Sequence, residues 1–290
     1  MEKIQCPICG RYMEEDSISF KTPENYNECI RKCFSCRVGA SNGKKNPTII
    51  YDDYKKNIPS SLLNNLEYTL ENSNNLQNRP NKKIKIGFST SEDAVSWIFI
   101  NYFIQNKKLN VLKEIFRCKS IITEIFMWGV PQIDRQYENH LKDICRNLGE
   151  NENSFSEPDI IVICEDEIVF IEVKVKSGND KQDPDKKNFD MYLNNDFYLD
   201  KNLAKKSKYY ELIRNWTIAN SFSDDKKFRL INLAPKRLFN TENCDQDFSN
   251  FLSSLKNREN FEQLSWEDVI QTMYSNSIDL EIVNELDRRI

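Results

Sequence analysis

The chain has 290 residues, with 41 Lys or Arg against 45 Asp or Glu, and a formal net charge of -4. This balance excludes a uniformly basic nucleic-acid-binding protein, although charge can still be distributed unevenly. No stretch approaches the roughly 20 apolar residues of a membrane span, and the start MEKIQCPICG lacks a charged-then-apolar leader. We therefore expect a cytoplasmic protein that does not enter the membrane.

The first 45 residues contain five of the nine cysteines and little periodic hydrophobicity. CPIC and CFSC are two CxxC pairs with 23 residues between them, which is typical of a four-cysteine zinc site. Bound Zn²⁺ would supply the folding energy that so small a core lacks. Cys29 remains an alternative ligand because it lies four residues before the second pair. We predict a zinc ribbon over residues 1–45 with the ligands Cys6, Cys9, Cys33 and Cys36.

Residues 46–80 are polar and Asn-rich except for a short apolar patch at 62–70. This composition predicts a linker or a docking helix. We place the boundary of the next domain near Asn81, so that the larger domain spans residues 81–290.

The larger domain alternates helical and strand patterns. The segment STSEDAVSWIFINYFIQ predicts a buried helix, and two apolar runs around EDE predict a β-hairpin. Together with the other segments, this order predicts a mixed α/β core with a helical C-terminal tail. The further predicted elements are helices at 111–126, 132–147 and 205–222, hairpin strands at 160–164 and 168–175, a strand at 228–234, and helix from 248 onward.

Charged residues lie at the margins of the hairpin strands, in SEPDIIVICEDEIVFIEVKVKSG. If the turn is centred on 165–167, Asp159 lies level with Glu172, Val173 or Lys174, and Glu172 and Lys174 project to the same side. Unpaired charges beside a buried sheet are costly, so a compensating group is expected. Two carboxylates suit Mg²⁺ (or Mn²⁺), and the lysine could polarise a water molecule or stabilise charge on a phosphate.

Pro158-Asp159, twelve intervening residues and Glu172-Val173-Lys174 resemble the motif of the PD-(D/E)xK nuclease superfamily, which has the restriction-endonuclease-like fold. The resemblance covers about residues 82–235 and implies a mixed central sheet flanked by helices. It implies that Asp159 and Glu172, with the Val173 carbonyl, bind the catalytic metal and that Lys174 assists the attacking water.

Two helices extend the resemblance. SEDAVSW is similar to the superfamily helix that carries an acidic residue before the hairpin, which makes Glu92 a candidate. Ser89-Thr-Ser-Glu92 is also a capping box, in which Glu92 only bonds a backbone N–H at the helix start. KYYELIRNWTIAN is similar to a tyrosine-rich, Arg-bearing helix, although Glu211 stands where many relatives have Gln. Tyr210, Arg214 and Trp216 can equally be ordinary structural positions.

Positive charge concentrates in residues 201–240, where ten basic residues face three acidic ones; residues 241–290 have four basic and eleven acidic residues. Such a segment suits contact with a nucleic-acid backbone. Lys176, one alternate position beyond Lys174, is either a phosphate neighbour or a solvated side chain. The predicted DNA contacts are Lys176, Lys205, Lys206, Lys208 and Arg214.

The chain has one histidine, His140, so a zinc hydrolase site with two histidines is excluded and a Ser-His-Asp triad is unsupported. If the chain is catalytic, the reaction is therefore expected to use carboxylates and metal. The remaining cysteines, at 118, 145, 164 and 244, read as small core residues.

The leading hypothesis is a Mg²⁺-dependent DNA endonuclease acting in restriction or anti-phage defence. A homodimer is plausible because a double-strand cut needs two active sites. The alternative is a zinc-ribbon protein that binds nucleic acid or a partner through a non-cleaving nuclease-like domain. RNA cleavage uses the same chemistry, and the sequence does not separate it from DNA cleavage.

Overall fold

The computed structural model describes residues 3–15, 22–42, 47–134, 139–193, 196–223 and 226–290. Within them, an N-terminal antiparallel sheet precedes a six-stranded mixed sheet flanked by helices. The N-terminal sheet has the strands β1 (Glu14–Glu15), β2 (Arg31–Cys33), β3 (Val38–Ala40) and β4 (Ile49–Tyr51). The α/β class predicted from the sequence is confirmed.

The larger sheet follows four helices and has its central hairpin near the middle of the chain. These elements are α1 (Leu66–Asn72), α2 (Arg79–Ile86), α3 (Glu92–Gln105), α4 (Leu109–Ile115), β5 (Ile122–Met127), β6 (Val130–Pro131), α5 (His140–Asn147), β7 (Ile160–Cys164) and β8 (Glu167–Val173). The remaining elements are α6 (Asp190–Leu193), α7 (Lys201–Ser207), α8 (Tyr210–Phe222), β9 (Lys227–Ala234), α9 (Lys236–Asn243), α10 (Gln246–Ser254), β10 (Phe261–Ser265), α11 (Trp266–Ser275) and α12 (Leu280–Arg289).

The strand order of the larger sheet is β10-β9-β8-β7-β5-β6. The β8–β9 and β9–β10 pairs are parallel, and the other pairs are antiparallel. The predicted hairpin is present as β7 and β8, with Ile160 opposite Ile171. This register carried one step further brings Asp159 level with Glu172, within the range that the sequence predicted.

Each face of this sheet carries its own apolar layer. On one side Val162 and Ile171 pack with α3, α11 and α12, and on the other Ile161 and Phe170 pack with α5 and α8. Successive side chains of a strand point to opposite faces, so strands buried on both faces are continuously apolar. That is why β7 reads IIVIC, and its five residues are all buried.

Helix α3 is apolar all round and lies inside the first layer, which agrees with the buried helix expected from the sequence. Ser91 caps its N-terminus, with Oγ accepting a hydrogen bond from the Ala94 N–H at 3.2 Å. Glu92 is the first residue of the helix. This start fixes the direction in which the Glu92 carboxylate leaves the helix.

The segment predicted as a linker or docking helix contacts both sheets. Strand β4 pairs with β3 of the N-terminal sheet, and the Tyr51 N–H donates to the Gly87 carbonyl at 2.9 Å. Leu62, Leu66 and Leu70 are buried in the layer that contains α3. The N-terminal sheet is therefore anchored close to the start of α3.

Several predicted elements differ from the structure. The helix expected over 111–126 ends at Ile115, and ITEIFM then forms β5, because an apolar run alone does not separate a buried helix from a buried strand. The helix expected over 132–147 begins at His140, and 135–138 lie outside the described residues. The helix expected over 205–222 is broken by Lys208, whose φ of 64° ends α7 before α8 begins.

The C-terminal tail is helical except for β10, which was predicted as part of a helix and instead pairs with β9. FEQLSW combines a strand with the start of α11, and Ser265 caps that helix by accepting from the Asp268 N–H. In the described parts of the chain, none of the helices combines the length and apolarity needed to cross a membrane.

Candidate active site and four-cysteine metal site

The two CxxC pairs come together at the N-terminal sheet. The Sγ atoms of the four predicted cysteines lie within 4.8 Å of one another, and those of Cys9 and Cys33 are 3.7 Å apart. Four thiolates at the usual Zn–S length of about 2.3 Å would have tetrahedral S···S separations of about 3.8 Å. The set Cys6, Cys9, Cys33 and Cys36 can therefore hold a metal ion such as zinc.

Cys29, the alternative ligand, lies outside this set. Its thiol donates to the Asn25 carbonyl at 3.5 Å, and burial raises its pKa to about 11. A Cβ at Gly39 would lie 2.5 Å from the Cys29 Sγ, so this thiol fills a space that requires glycine opposite it. By contrast, hydrogen bonds from Arg11 lower the pKa of Cys9 to about 6, which favours a thiolate ligand.

The sheet margin that carries the predicted charges opens into a cleft of about 760 Å³. Asp159, Glu172, Lys174 and Glu92, the four predicted catalytic residues, all line it. The structure therefore brings these four side chains to one cleft.

Asp159 precedes β7 and is held by the neighbouring strand. Its Oδ2 accepts a hydrogen bond from the Val173 N–H at 2.8 Å. Burial and the negative charge of Glu172 raise the pKa of Asp159 well above its usual value. A buried carboxylate with a raised pKa favours a nearby cation, because a cation offsets the cost of the charged form.

Glu172 and Lys174 form an ion pair on the same side of β8. The Lys174 Nζ lies 2.7 Å from Glu172 Oε1 and 3.0 Å from Glu211 Oε2. Glu172 Oε2 accepts from the Asn215 side chain at 2.7 Å. Burial alone would lower the pKa of Lys174, but Glu172 and Glu211 raise it well above its ordinary value. The amine is therefore held in the charged form beside the carboxylates.

Glu92 reaches across the cleft to the end of β8. Its Oε1 accepts from the Val175 N–H at 3.0 Å, while Ser91 provides the side-chain cap of α3. The capping-box geometry is thus not formed by Glu92. Burial raises its pKa to about 7, against the opposing effect of Lys174. Its bond to Val175 holds Glu92 at the sheet margin, where it lines the same cleft as Asp159 and Glu172.

The helix after the hairpin, α8, contributes the opposite wall. Tyr210, Glu211 and Arg214 line the cleft. Burial opposes ionisation of Glu211, but Lys174 and Arg214 lower its pKa below the usual value. Trp216 instead packs against Phe228 in the core, with ring centroids 5.1 Å apart. One face of α8 therefore lines the cleft, and the other packs in the core.

Three cleft residues were not singled out from the sequence. Lys82 of α2 is only 4% exposed, and its Nζ lies 3.1 Å from Asp93 and 3.2 Å from Glu157. Lys82 is hard to single out from the sequence because it is one of several lysines in NKKIKI, beside the predicted domain boundary. Asp93, by contrast, directly follows the predicted Glu92, and Glu157 lies two residues before the predicted Asp159. Both could have been identified from these neighbours in the sequence.

The donor set of the cleft fits a hard divalent cation. From the described part of the chain, Asp159 Oδ1 and Glu92 Oε2 accept no hydrogen bond, so each carboxylate keeps one oxygen for another partner. The carboxylates do not form a cluster of three ligand atoms within 4.8 Å. Mg²⁺ does not require one, because it binds proteins through one or two carboxylates and completes its shell with water and phosphate oxygens.

The predicted DNA-contacting residues fall into two groups. Arg214 and Lys176 line the cleft, and the Lys176 Nζ also donates to the backbone oxygen of Ile290 at 3.1 Å. The three lysines near α7 do not line the cleft. Lys205 is paired with Asp190 at 2.9 Å, and Lys206 and Lys208 are exposed.

The remaining cysteines are mostly core residues, as expected. Cys118, Cys145 and Cys164 are buried, but Cys244 is exposed at the end of α9, so that part of the prediction is wrong. Cys244 lies between Asn243 and Asp245, and these polar neighbours agree with its exposure.

Comparison of the chain with protein-family models, with curated proteins and with solved structures finds no match.

Proposed function

We propose that this chain is a metal-dependent endonuclease that hydrolyses DNA phosphodiester bonds. In this proposal the six-stranded domain is restriction-endonuclease-like, and the four-cysteine module is a zinc ribbon that strengthens DNA binding or helps select the cleavage site. The supporting observation is the meeting of Asp159, Glu172, Lys174 and Glu92 in one cleft, with the ammonium group 2.7 Å from a carboxylate.

Each of the four residues has its own proposed role. Asp159 and Glu172, assisted by Glu92, would hold Mg²⁺ or Mn²⁺, which when bound supplies Lewis-acid stabilisation of the phosphate and lowers the pKa of bound water. Lys174 is fixed in the charged form by Glu172 and Glu211, so it can orient a water molecule and stabilise charge developing on the phosphate.

The walls of the cleft suit a phosphate-bearing substrate. Arg214 lines the cleft and is charged at any physiological pH, and Lys176 and Lys187 add positive charge to the lining. The exposed lysines Lys206 and Lys208 lie just before α8 and can contact the DNA backbone outside the cleft.

One observation favours a second candidate, a nucleic-acid or partner-binding protein that does not cleave. Both oxygens of Glu172 are already engaged, by Lys174 and by Asn215, and Glu211 provides Lys174 with a second carboxylate. Glu172, Lys174 and Glu211, paired in this way, can serve the stability of the fold alone. Cleavage requires that bound metal or substrate draw Glu172 or Lys174 out of this pairing.

The test is metal-dependent nicking of supercoiled plasmid, with single-stranded DNA, modified phage DNA and RNA as parallel substrates. We expect cleavage with Mg²⁺ or Mn²⁺, none with a chelator, and none from Asp159→Asn. Asp166→Asn is the matched control because Asp166 lies in the exposed turn of the same hairpin. If no substrate is cut but DNA binding survives equally in Asp159→Asn, the binding protein is the better account.

The proposed biological role is restriction or anti-phage defence, by analogy with the superfamily that the motif resembles. Cells expressing the chain should then plate phage less efficiently than cells expressing Asp159→Asn. Equal plating across a broad phage panel would point to another role for the nuclease.

A further inference from the structure

Lys82 contacts both segments that carry the candidate catalytic carboxylates. Its ammonium group pairs with Asp93, the neighbour of Glu92 on α3, and with Glu157, two residues before Asp159. Its side chain is 5% exposed, so neither pair is a loose surface contact. These are the features of an ion-pair bridge between two chain segments that are otherwise far apart in sequence.

A third contact of Lys82, with Trp128, also connects it to Asp159. Its Nζ lies 4.6 Å from the centre of the Trp128 ring, and the backbone N–H of Trp128 donates to the Asp159 backbone carbonyl at 3.3 Å. Trp128 is itself fixed by stacking on Trp97 of α3, with centroids 5.8 Å apart. An ammonium over an indole face is a favourable, geometrically restrictive contact.

Glu157 is held from another side as well. Its Oε1 accepts from the Asn75 N–H at 2.7 Å, while Oε2 faces Lys82. The segment before β7 is thus fixed between α2 and the loop that precedes α2. Removing the cation would leave Asp93 and Glu157 without a counter-charge beside Asp159, and the three carboxylates would repel one another.

We propose that Lys82 is a positioning residue that sets the separation between the Glu92 and Asp159 carboxylates. Two backbone amides report on this separation, because the Val173 N–H donates to Asp159 and the Val175 N–H donates to Glu92. Both bonds depend on where the carboxylates lie. The exchange rates of these two amides therefore measure the arrangement without any requirement for activity.

The first experiment compares amide hydrogen exchange in the wild type and in Lys82→Met, whose side chain has similar length and no charge. We expect exchange at Val173 and Val175 to become at least about tenfold faster, while amides at the centre of β8 keep their rates. Lys83→Met is the matched control, because Lys83 lies next on the same helix and pairs with Glu71 near the surface. Unchanged exchange at both reporter amides would overturn the proposal.

A second variant separates positioning from charge compensation, and it also serves if Lys82→Met fails to fold. Lys82→Met combined with Asp93→Asn and Glu157→Gln removes the cation together with its two anionic partners. We expect this variant to fold and to keep fast exchange at Val173 and Val175. Restored protection would show that Lys82 only neutralises charge, and the proposal would be wrong.

The kinetic consequence rests on the proposed nuclease function. If that function is right, Lys82→Met lowers kcat at least about tenfold with KM for DNA changed less than about threefold, and Lys82→Arg recovers part of the loss. A wild-type chain without nuclease activity would remove this kinetic test only. The exchange measurement would still decide the role of Lys82.

Discussion

Replacing Lys174 with methionine is the most informative single perturbation of the cleft. The substitution removes an ammonium group that lies 2.7 Å from Glu172 and 3.0 Å from Glu211. Methionine keeps most of the aliphatic volume, so packing is nearly conserved. The measured effect therefore reports on the charge.

The expected loss of stability follows from the burial of the pair. Leaving one member of a buried ion pair alone costs about 3–5 kcal/mol. Glu172 keeps its bond from Asn215, and the Glu211 side chain is 32% exposed and can be hydrated. We therefore expect the lower end, about 3 kcal/mol in the free energy of unfolding.

The assay is a double-mutant cycle with Glu172→Gln, measured by urea unfolding with zinc present. The coupling energy between Lys174 and Glu172 should be at least about 1.5 kcal/mol. Single-turnover nicking by Lys174→Met should fall by roughly 10²–10⁴-fold, with DNA affinity nearly unchanged. A coupling energy near zero, together with full nicking activity, would refute the reasoning.

Further predictions concern the metal site and the neighbouring residues. Serine at Cys6, Cys9, Cys33 or Cys36 should lower bound zinc, measured by metal analysis of purified protein, whereas Cys29→Ser should retain one zinc per chain. Gly39→Ala should destabilise the chain by about 1–3 kcal/mol, because the new Cβ would lie 2.5 Å from the Cys29 Sγ; an unchanged unfolding midpoint would contradict this. Burial raises the pKa of Glu92 from its ordinary value of 4.5 to about 7. The neutral form is thus favoured in the fold, so its stability contribution is present below about pH 4.5 and is lost as pH rises through 7, a total of about 3 kcal/mol. Without divalent metal, wild type should lose this stability relative to Glu92→Gln over that range; parallel pH profiles would show that Glu92 is not perturbed.

The sequence was most informative where one residue pattern had one physical solution. Two CxxC pairs predicted the four-cysteine cluster, and two apolar runs around an acidic turn predicted β7 and β8. The register of that hairpin follows from its turn, so the position opposite Asp159 could be narrowed to three consecutive residues, Glu172 to Lys174.

Other features depend on contacts that no local pattern carries. Strand β5 was predicted as part of a helix because its apolar run has no clear period, and β10 was hidden before the capping serine of α11. Lys82 is distinguished from Lys83 only by what surrounds it in the fold. Cleft residues of the hairpin, α3 and α8 were named from the sequence, whereas Lys82 of α2 was not.

The most direct test of the central claim is the location of bound metal in crystals of this chain soaked with Mn²⁺. The account predicts an anomalous peak in the cleft, within about 2.0–2.4 Å of a carboxylate oxygen of Asp159 and of Glu172. A peak that is absent from the cleft, with Lys174 still paired to Glu172 at saturating Mn²⁺, would contradict it.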